Sequence, residues 1–165
     1  MLLCEVFSPD LIKVGLEAEN KDEVFEEMVD FFCQARNFLH RKELLAAIWD
    51  RESKMSTGIK KGIAIPHGKT DVIDHVSGVL GISKKGIEYE ALDGEPVYLL
   101  FMMFAPSRDS EKHLRLLKRL AELLDMPEFY TDLIAQKTPQ GAHEVLKKYE
   151  ERLIALTYRG TPWNT

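Results

Sequence analysis

One of the five histidines in this 165-residue chain sits in a segment built for close approach. His67 follows Gly58-Ile59-Lys60-Lys61-Gly62-Ile63-Ala64-Ile65-Pro66 and precedes Gly68, so three glycines and several small neighbours leave room for another surface. Pro66 should end the β-branched strand Ile63-Ala64-Ile65, which places His67 just past a strand end, on a loop. An imidazole with an ordinary pKa of about 6.5 is largely neutral at pH 7 and is then a competent nucleophile. Charge gathers at the same place. Between 51 and 69, five basic residues (Arg51, Lys54, Lys60, Lys61 and Lys69) face only Glu52, a local net of +4 in a chain whose total is −5. Such an island suits an anionic group or an acidic partner.

The remaining histidines carry weaker signals. His113 is expected within the first turn or so of a leucine-rich helix, where backbone donors and the dipole favour an anion, although the residue alone also fits a plain helix surface. His75 lies beside Asp71 and Asp74 but at no recognised metal-ligand spacing, and His40 and His143 read as surface residues. Cys4 and Cys33 form no CxxC pair, no zinc set and no disulfide framework, which fits a reducing cytoplasm.

The elements that must hold these groups follow from periodicity. A short strand is expected around Asp10 to Val14. Asn20-Lys21-Asp22-Glu23 has the side chains of a capping box, followed at helical spacing by Val24, Met28, Phe31, Phe32 and Ala35. A second helix runs from about Arg41 to Glu52, with Leu44, Leu45 and Ile48 on one side and Arg51 in its last turn, and ends before Ser56-Thr57-Gly58. Val76 to Ser83 and Val97 to Phe104 read as strands. The second is apolar at nearly every position, as a central strand covered on both faces would be. Ile87 to Tyr89 is close enough to the first to form a hairpin with it.

After the loop 105–109, with Asp109 or Ser110 as N-cap, a helix carries Leu117, Leu120, Ala121 and Leu124 on one face. A shorter helix near Pro127 to Ala135 and a last one from Pro139 to about Leu156 complete the pattern, and Tyr158 to Thr165 reads as a frayed tail. Interspersed strands and helices predict an α/β fold: one domain, a mixed sheet of about five strands, helices on both faces.

Composition excludes several classes. At 18.9 kDa, 45% hydrophobic and 30% charged, the chain is an ordinary globular module rather than a disordered or repeat protein. A net charge of −5 argues against nucleic-acid binding. No apolar run approaches the roughly 20 residues that cross a bilayer, and the N-terminus lacks a basic leader, so a soluble, cytoplasmic protein is expected.

The segment Ser56-Thr57-Gly58 through Ile65-Pro66-His67-Gly68 resembles the active-site signature of the enzyme IIA domains of the bacterial sugar phosphotransferase system, mannitol/fructose class, a family that includes nitrogen-regulatory members. Asp93-Gly94-Glu95-Pro96-Val97, the strand ending Phe104-Ala105-Pro106 and His113-Leu114 extend the likeness. It is strong over roughly Arg41 to Leu124 and looser over the whole domain. The family often has a Gly-Asn or Gly-Lys-Gly type loop where this chain has Lys60-Lys61-Gly62, a departure that touches partner choice rather than chemistry.

The resemblance implies a phosphocarrier domain over 1–157 with a tail at 158–165. It makes His67 the phosphorylated nucleophile, taking phosphate from the carrier protein HPr and passing it to an enzyme IIB partner. It makes His113 the second active-site histidine and Arg51 a phosphate-binding residue, for which a bidentate guanidinium is suited, the alternative for Arg51 being a helix-end ion pair with Glu52 or Asp50. Thr57 and Gly58 are weaker phosphate-binding candidates. Ile59, Ile63 and Lys69 are candidate rim residues for docking. No metal or cofactor is implied, and with no GxGxxG or GxxxxGK[ST] loop the phosphate would come from a protein rather than from ATP. The alternative reading is a nitrogen-regulatory-type enzyme IIA, a binding protein switched by phosphorylation of His67. Sequence reveals neither the sugar nor the oligomeric state.

Overall fold

The computed structural model describes residues 1–159. In chain order the elements are α1 (Leu3–Val6), a 3-10 turn (Pro9–Leu11), β1 (Ile12–Val14), α2 (Lys21–Arg36), α3 (Arg41–Glu52), β2 (Gly58–Lys60), β3 (Ile63–Ala64), β4 (His67–Lys69), β5 (Ser77–Ile87), β6 (Val97–Ala105), a second 3-10 turn (Ser107–Asp109), α4 (Ser110–Leu124), α5 (Phe129–Ile134) and α6 (Pro139–Arg159). The single mixed sheet has six strands ordered β1-β5-β6-β3-β2, with β4 also on β6. Residues 160–165 of the expected tail lie outside the described residues, while Tyr158 and Arg159 continue α6.

The apolar strand β6 is the centre. Its antiparallel pairing with β5 runs from Ser77↔Phe104 to Ile87↔Val97, and its opposite edge takes β3 and then β4, both parallel. Side chains of β6 alternate between two cores. Leu99, Phe101 and Met103 join Leu3, Leu116, Leu120 and Phe129 on the face covered by α1, α4, α5 and α6. Leu100, Met102 and Phe104 join Phe25, Met28, Phe32, Leu44 and Ile48 on the face covered by α2 and α3. Helices on both faces thus explain why no position of this strand needed to be polar. Among the described residues no helix is long and apolar enough to cross a membrane.

Three details differ from the expectations, and the Lys60-Lys61-Gly62 loop acquires a defined geometry. The Ile87 to Tyr89 hairpin does not form, because β5 continues to Ile87 and, after a shift of register beyond Ile82, pairs with β6 instead. Lys60-Lys61-Gly62 is a hairpin turn: Lys61 (φ 29°) and Gly62 (φ 85°) link β2 to β3 with both central residues in the left-handed region, the geometry that follows the twist of a two-residue turn. Asn20 does cap α2 by accepting from the Glu23 N–H at 2.9 Å, but the Glu23 carboxylate accepts from Glu19 rather than from Asn20, giving half a capping box. Ala35 is exposed, since the buried stripe of α2 follows Val24, Phe25, Met28, Val29 and Phe32.

Candidate functional site

His67 does not lie on a loop past a strand. It opens β4, where it pairs with Met103 of β6. Pro66 interrupts the edge only locally: its carbonyl still accepts the Met103 N–H at 2.9 Å, while the Ile65 N–H turns to Thr57 at 3.0 Å. The chain therefore resumes its parallel course after a two-residue break, Ile65-Pro66, and His67 is held by the sheet. Its Nδ1 lies 2.8 Å from the Ile65 carbonyl, an acceptor, so Nδ1 carries the proton and Nε2 the free lone pair. Burial of the ring, with the Arg51 charge adding to it, lowers its pKa below 6.5 against the opposing pull of the Ile65 carbonyl and Glu52. The ring is therefore neutral at pH 7.

His113 packs against it, with ring centroids 5.6 Å apart and planes at 74°. The buried stripe of α4 is His113, Leu116, Leu120, Leu123 and Leu124: of the face expected from spacing, Leu120 and Leu124 are buried and Leu117 partly so, but Ala121 is exposed, and this rotation turns His113 inward to 3% exposure. Its Nε2 is buried and meets no hydrogen-bond partner among the described residues. Desolvation, reinforced by His67 and Lys69, pulls its pKa down to about 4.

Arg51 is the third member. It lies in the last turn of α3, and α3 can reach β4 only because residue 68 is glycine: a Cβ there would lie 2.5 Å from the Ala47 carbonyl oxygen. Arg51 donates from Nη1 to the Met55 carbonyl at 2.8 Å, while Asp50 and Glu52, its alternative ion partners, pair with Lys54 and Lys21. Arg51, His67 and His113 line one open cavity of about 500 Å³, together with Lys54, Lys69 and Leu114.

The other candidates separate. Thr57 and Gly58 do not line the cavity. Thr57 is 2% exposed, and both its N–H (3.0 Å) and its hydroxyl (2.6 Å) donate to the Glu52 carboxylate. Gly58 passes against Ala91, where a Cβ would meet another at 2.7 Å. Lys69 is on the rim, Ile59 is exposed elsewhere, and Ile63 is a core residue. The basic island is smaller than its sequence: Lys60 pairs with Asp125 at 2.6 Å, and Asp50 and Glu111 join the cavity wall. His75 and His40 are exposed. His143 is not a simple surface residue, because its half-buried ring bonds the Cys4 carbonyl at 2.9 Å. Among the described residues no group of histidine, cysteine or carboxylate side chains could hold a metal.

Sequence reasoning gave Glu52 only the alternative of a helix-end ion pair with Arg51, whereas it pairs with Lys21 and Thr57. The signal was present, for Leu44, Ile48 and Glu52 recur every four residues on the buried side of α3.

This fold is that of the phosphotransferase-system IIA proteins. It superposes on the nitrogen regulatory protein IIA-Ntr of Neisseria meningitidis with a TM-score of 0.80 at 24% identity, covering 87% of this chain and 98% of that one. It also superposes on the Escherichia coli mannitol enzyme IIA, from a structure of its complex with phosphorylated enzyme IIB, with a TM-score of 0.70 at 19% identity over 84% and 95% of the two chains. Residues 5–149 match the family model "Phosphoenolpyruvate-dependent sugar phosphotransferase system, EIIA 2", and the chain belongs to that family. Among relatives, the fructose-specific EIIA component of Haloferax volcanii is 30% identical over 86% of this chain and 92% of its own length. The fructose-specific EIIABC component of Bacillus subtilis is 34% identical over 92% of this chain, which spans only 24% of that longer protein.

Proposed function

We propose that this chain is a cytoplasmic phosphoryl carrier in which His67 accepts phosphate from an HPr-like donor and passes it to an enzyme IIB acceptor. The observation that carries the reading is the packing of the His67 ring, with its free Nε2 lone pair, against the His113 ring, whose buried Nε2 has no partner among the described residues, in the wall of one cavity that also holds Arg51. A buried polar atom without a partner costs roughly 1–3 kcal/mol, and a phosphoryl oxygen would satisfy it when His113 presents Nε2–H.

The step follows from these groups. The Nε2 lone pair of His67 attacks phosphorus as the donor's N–P bond breaks, and the donor nitrogen leaves with its electron pair. Nδ1–H stays on the Ile65 carbonyl, so the phosphorylated ring is formally cationic and remains a good leaving group. In the second step the acceptor sulfur or nitrogen takes phosphorus and His67 returns neutral. Transferred phosphoryl groups spread charge over three equatorial oxygens, and the Arg51 guanidinium, Lys69 and His113 are the fixed donors able to meet it. A IIB acceptor is supported by the mannitol relative, whose structure is a complex with phosphorylated IIB.

A second reading has its own support: the superposition on IIA-Ntr of Neisseria meningitidis favours a regulatory binding protein switched by the same phosphorylation. Intact-mass spectrometry at neutral pH, after incubation with phosphoenolpyruvate, enzyme I and HPr, tests the chemistry common to both. One phosphoryl mass, labile in acid and missing from His67→Ala, is expected, and no gain from a competent donor overturns the carrier reading. Onward transfer to a IIB protein then separates transport from regulation.

A further inference from the structure

Glu52, the neighbour of Arg51 in the chain, centres a buried polar cluster that among the described residues hydrogen-bonds neither histidine, although its charge acts on the His67 ring through space. The Glu52 carboxylate, 5% exposed, gathers four donors. Its Oε1 receives the Thr57 N–H at 3.0 Å and the Lys21 ammonium at 3.1 Å. Its Oε2 receives the Thr57 hydroxyl at 2.6 Å and, at 3.3 Å, the Tyr89 hydroxyl. With the Thr57 proton given to Glu52, the single Tyr89 proton is shared between Thr57 Oγ1 at 2.7 Å and Glu52 Oε2 at 3.3 Å, and the Tyr89 ring also lies under Lys21 at 4.8 Å. A phenol, a hydroxyl and an ammonium thus converge on one carboxylate in the core.

The cluster ties the two ends of a short loop. Glu52 is the last residue of α3 and Thr57 immediately precedes β2. The loop between them, 53–56, carries Met55, whose carbonyl holds the Arg51 guanidinium at 2.8 Å. On a helix, consecutive side chains differ by about 100°, so Glu52 reaches the core while Arg51 reaches the cavity. Lys21, from the start of α2, and Tyr89, after β5, fix the anchor from two further directions.

We infer that Glu52 is a positioning residue: by clamping Thr57 it fixes the loop 53–56, and through the Met55 carbonyl it sets where the Arg51 guanidinium stands in the cavity. Thr57 belongs to this clamp and not to the phosphate site. The effect on transfer rests on the carrier reading above, while the effect on Arg51 does not.

Phosphoryl transfer from HPr is timed in the intact chain, E52Q, T57V, T57S and R51A, and in R51A combined with E52Q or T57V. Acting through Arg51, E52Q slows transfer about 10-fold, yet under 2-fold where residue 51 is already alanine, the non-additivity of coupled groups. T57V keeps the backbone N–H to Glu52 and is the milder probe should E52Q not fold; it behaves the same way more weakly, and T57S restores the rate. Equal slowing in both backgrounds overturns the inference. In parallel, the ¹⁵N heteronuclear NOE of the Arg51 Nε–H signal is measured in the unphosphorylated chain. It should fall in E52Q and T57V and recover in T57S. An Arg51 signal unchanged by E52Q and T57V overturns the inference even if HPr phosphorylates none of the proteins, an outcome that would separately remove the carrier reading.

Discussion

The imidazoles of His67 and His113 meet edge to face, 5.6 Å between centroids, yet come from a sheet edge and a helix that are forty-six residues apart in sequence. Among the described residues, of these two rings His67 alone has a hydrogen bond that selects its tautomer, the 2.8 Å contact of Nδ1 with the Ile65 carbonyl. The two rings are therefore chemically unlike: one presents a fixed lone pair, the other an uncommitted buried nitrogen.

The first prediction concerns that asymmetry. The ¹⁵N spectrum of His67 at pH 7.5 should give a protonated, pyrrole-type Nδ1 and a bare, pyridine-type Nε2, and phosphorylation should bring phosphorus coupling to Nε2 alone. A pyridine-type Nδ1 in the resting protein would remove the basis for assigning the nucleophilic atom.

A pH dependence of stability follows from the same pair. His113 has a folded pKa near 4, against about 6.5 when unfolded, so between these values the unfolded chain binds the extra proton. Stability is complete above pH 6.5 and declines as pH falls toward 4, by about 3 kcal/mol at the most from this one group. Burial of His67 lowers its pKa as well and acts in the same direction. Urea unfolding at pH 7.5, 6 and 5 should show the decline, and His113→Gln should flatten it. A slope unchanged by His113→Gln would show that this residue does not titrate on unfolding.

Much of this site was legible in the chain because its parts are local. The segment around Pro66-His67-Gly68 announces a constrained histidine, and the α3 boundaries, Arg41 to Glu52, follow from periodicity and the turn after them. The orientation of His113 was not legible. A helix with Leu114, Leu116, Leu117, Leu120, Leu123 and Leu124 has two plausible apolar faces, and only packing on the sheet selects the one that contains His113. The same holds for β4. Pro66 properly predicts a break, but the Met103 N–H that bridges it belongs to a strand over thirty residues away. Thr57 was misplaced for a related reason: the cluster that holds it, Lys21, Glu52, Thr57 and Tyr89, is drawn from separate segments, and no spacing in the sequence links Lys21 to Tyr89.

Gly68 should be intolerant of even one carbon. In Gly68→Ala the Cβ would meet backbone atoms of Ala47 at 2.5 and 2.6 Å, so α3 must move off β4 and take Arg51 with it. A destabilisation of about 1–3 kcal/mol is expected in urea unfolding. Phosphoryl transfer by the folded protein should also slow, approaching the rate of Arg51→Ala. Wild-type transfer in Gly68→Ala would show that the Arg51 to His67 spacing does not depend on this approach.

Glu150 offers the converse case, a buried carboxylate with a purely architectural task. It is 1% exposed on α6, and accepts the N–H groups of Leu3 (2.7 Å) and Cys4 (3.1 Å) as well as Arg119 (3.3 Å), thereby fixing α1 against the far core. These donors are on the opposite side of the sheet from α3. Glu150→Ala leaves two backbone N–H groups unpaired, takes from Arg119 its carboxylate partner though not the Met1 carbonyl, and should cost about 3–5 kcal/mol. Glu150→Gln keeps one acceptor and should cost less. Because neither change reaches Arg51 or His67, the folded fraction of each variant should accept phosphate at the wild-type rate. A rate loss in Glu150→Gln larger than its loss of folded protein would show that the face carrying α1 and α6 is coupled to the site.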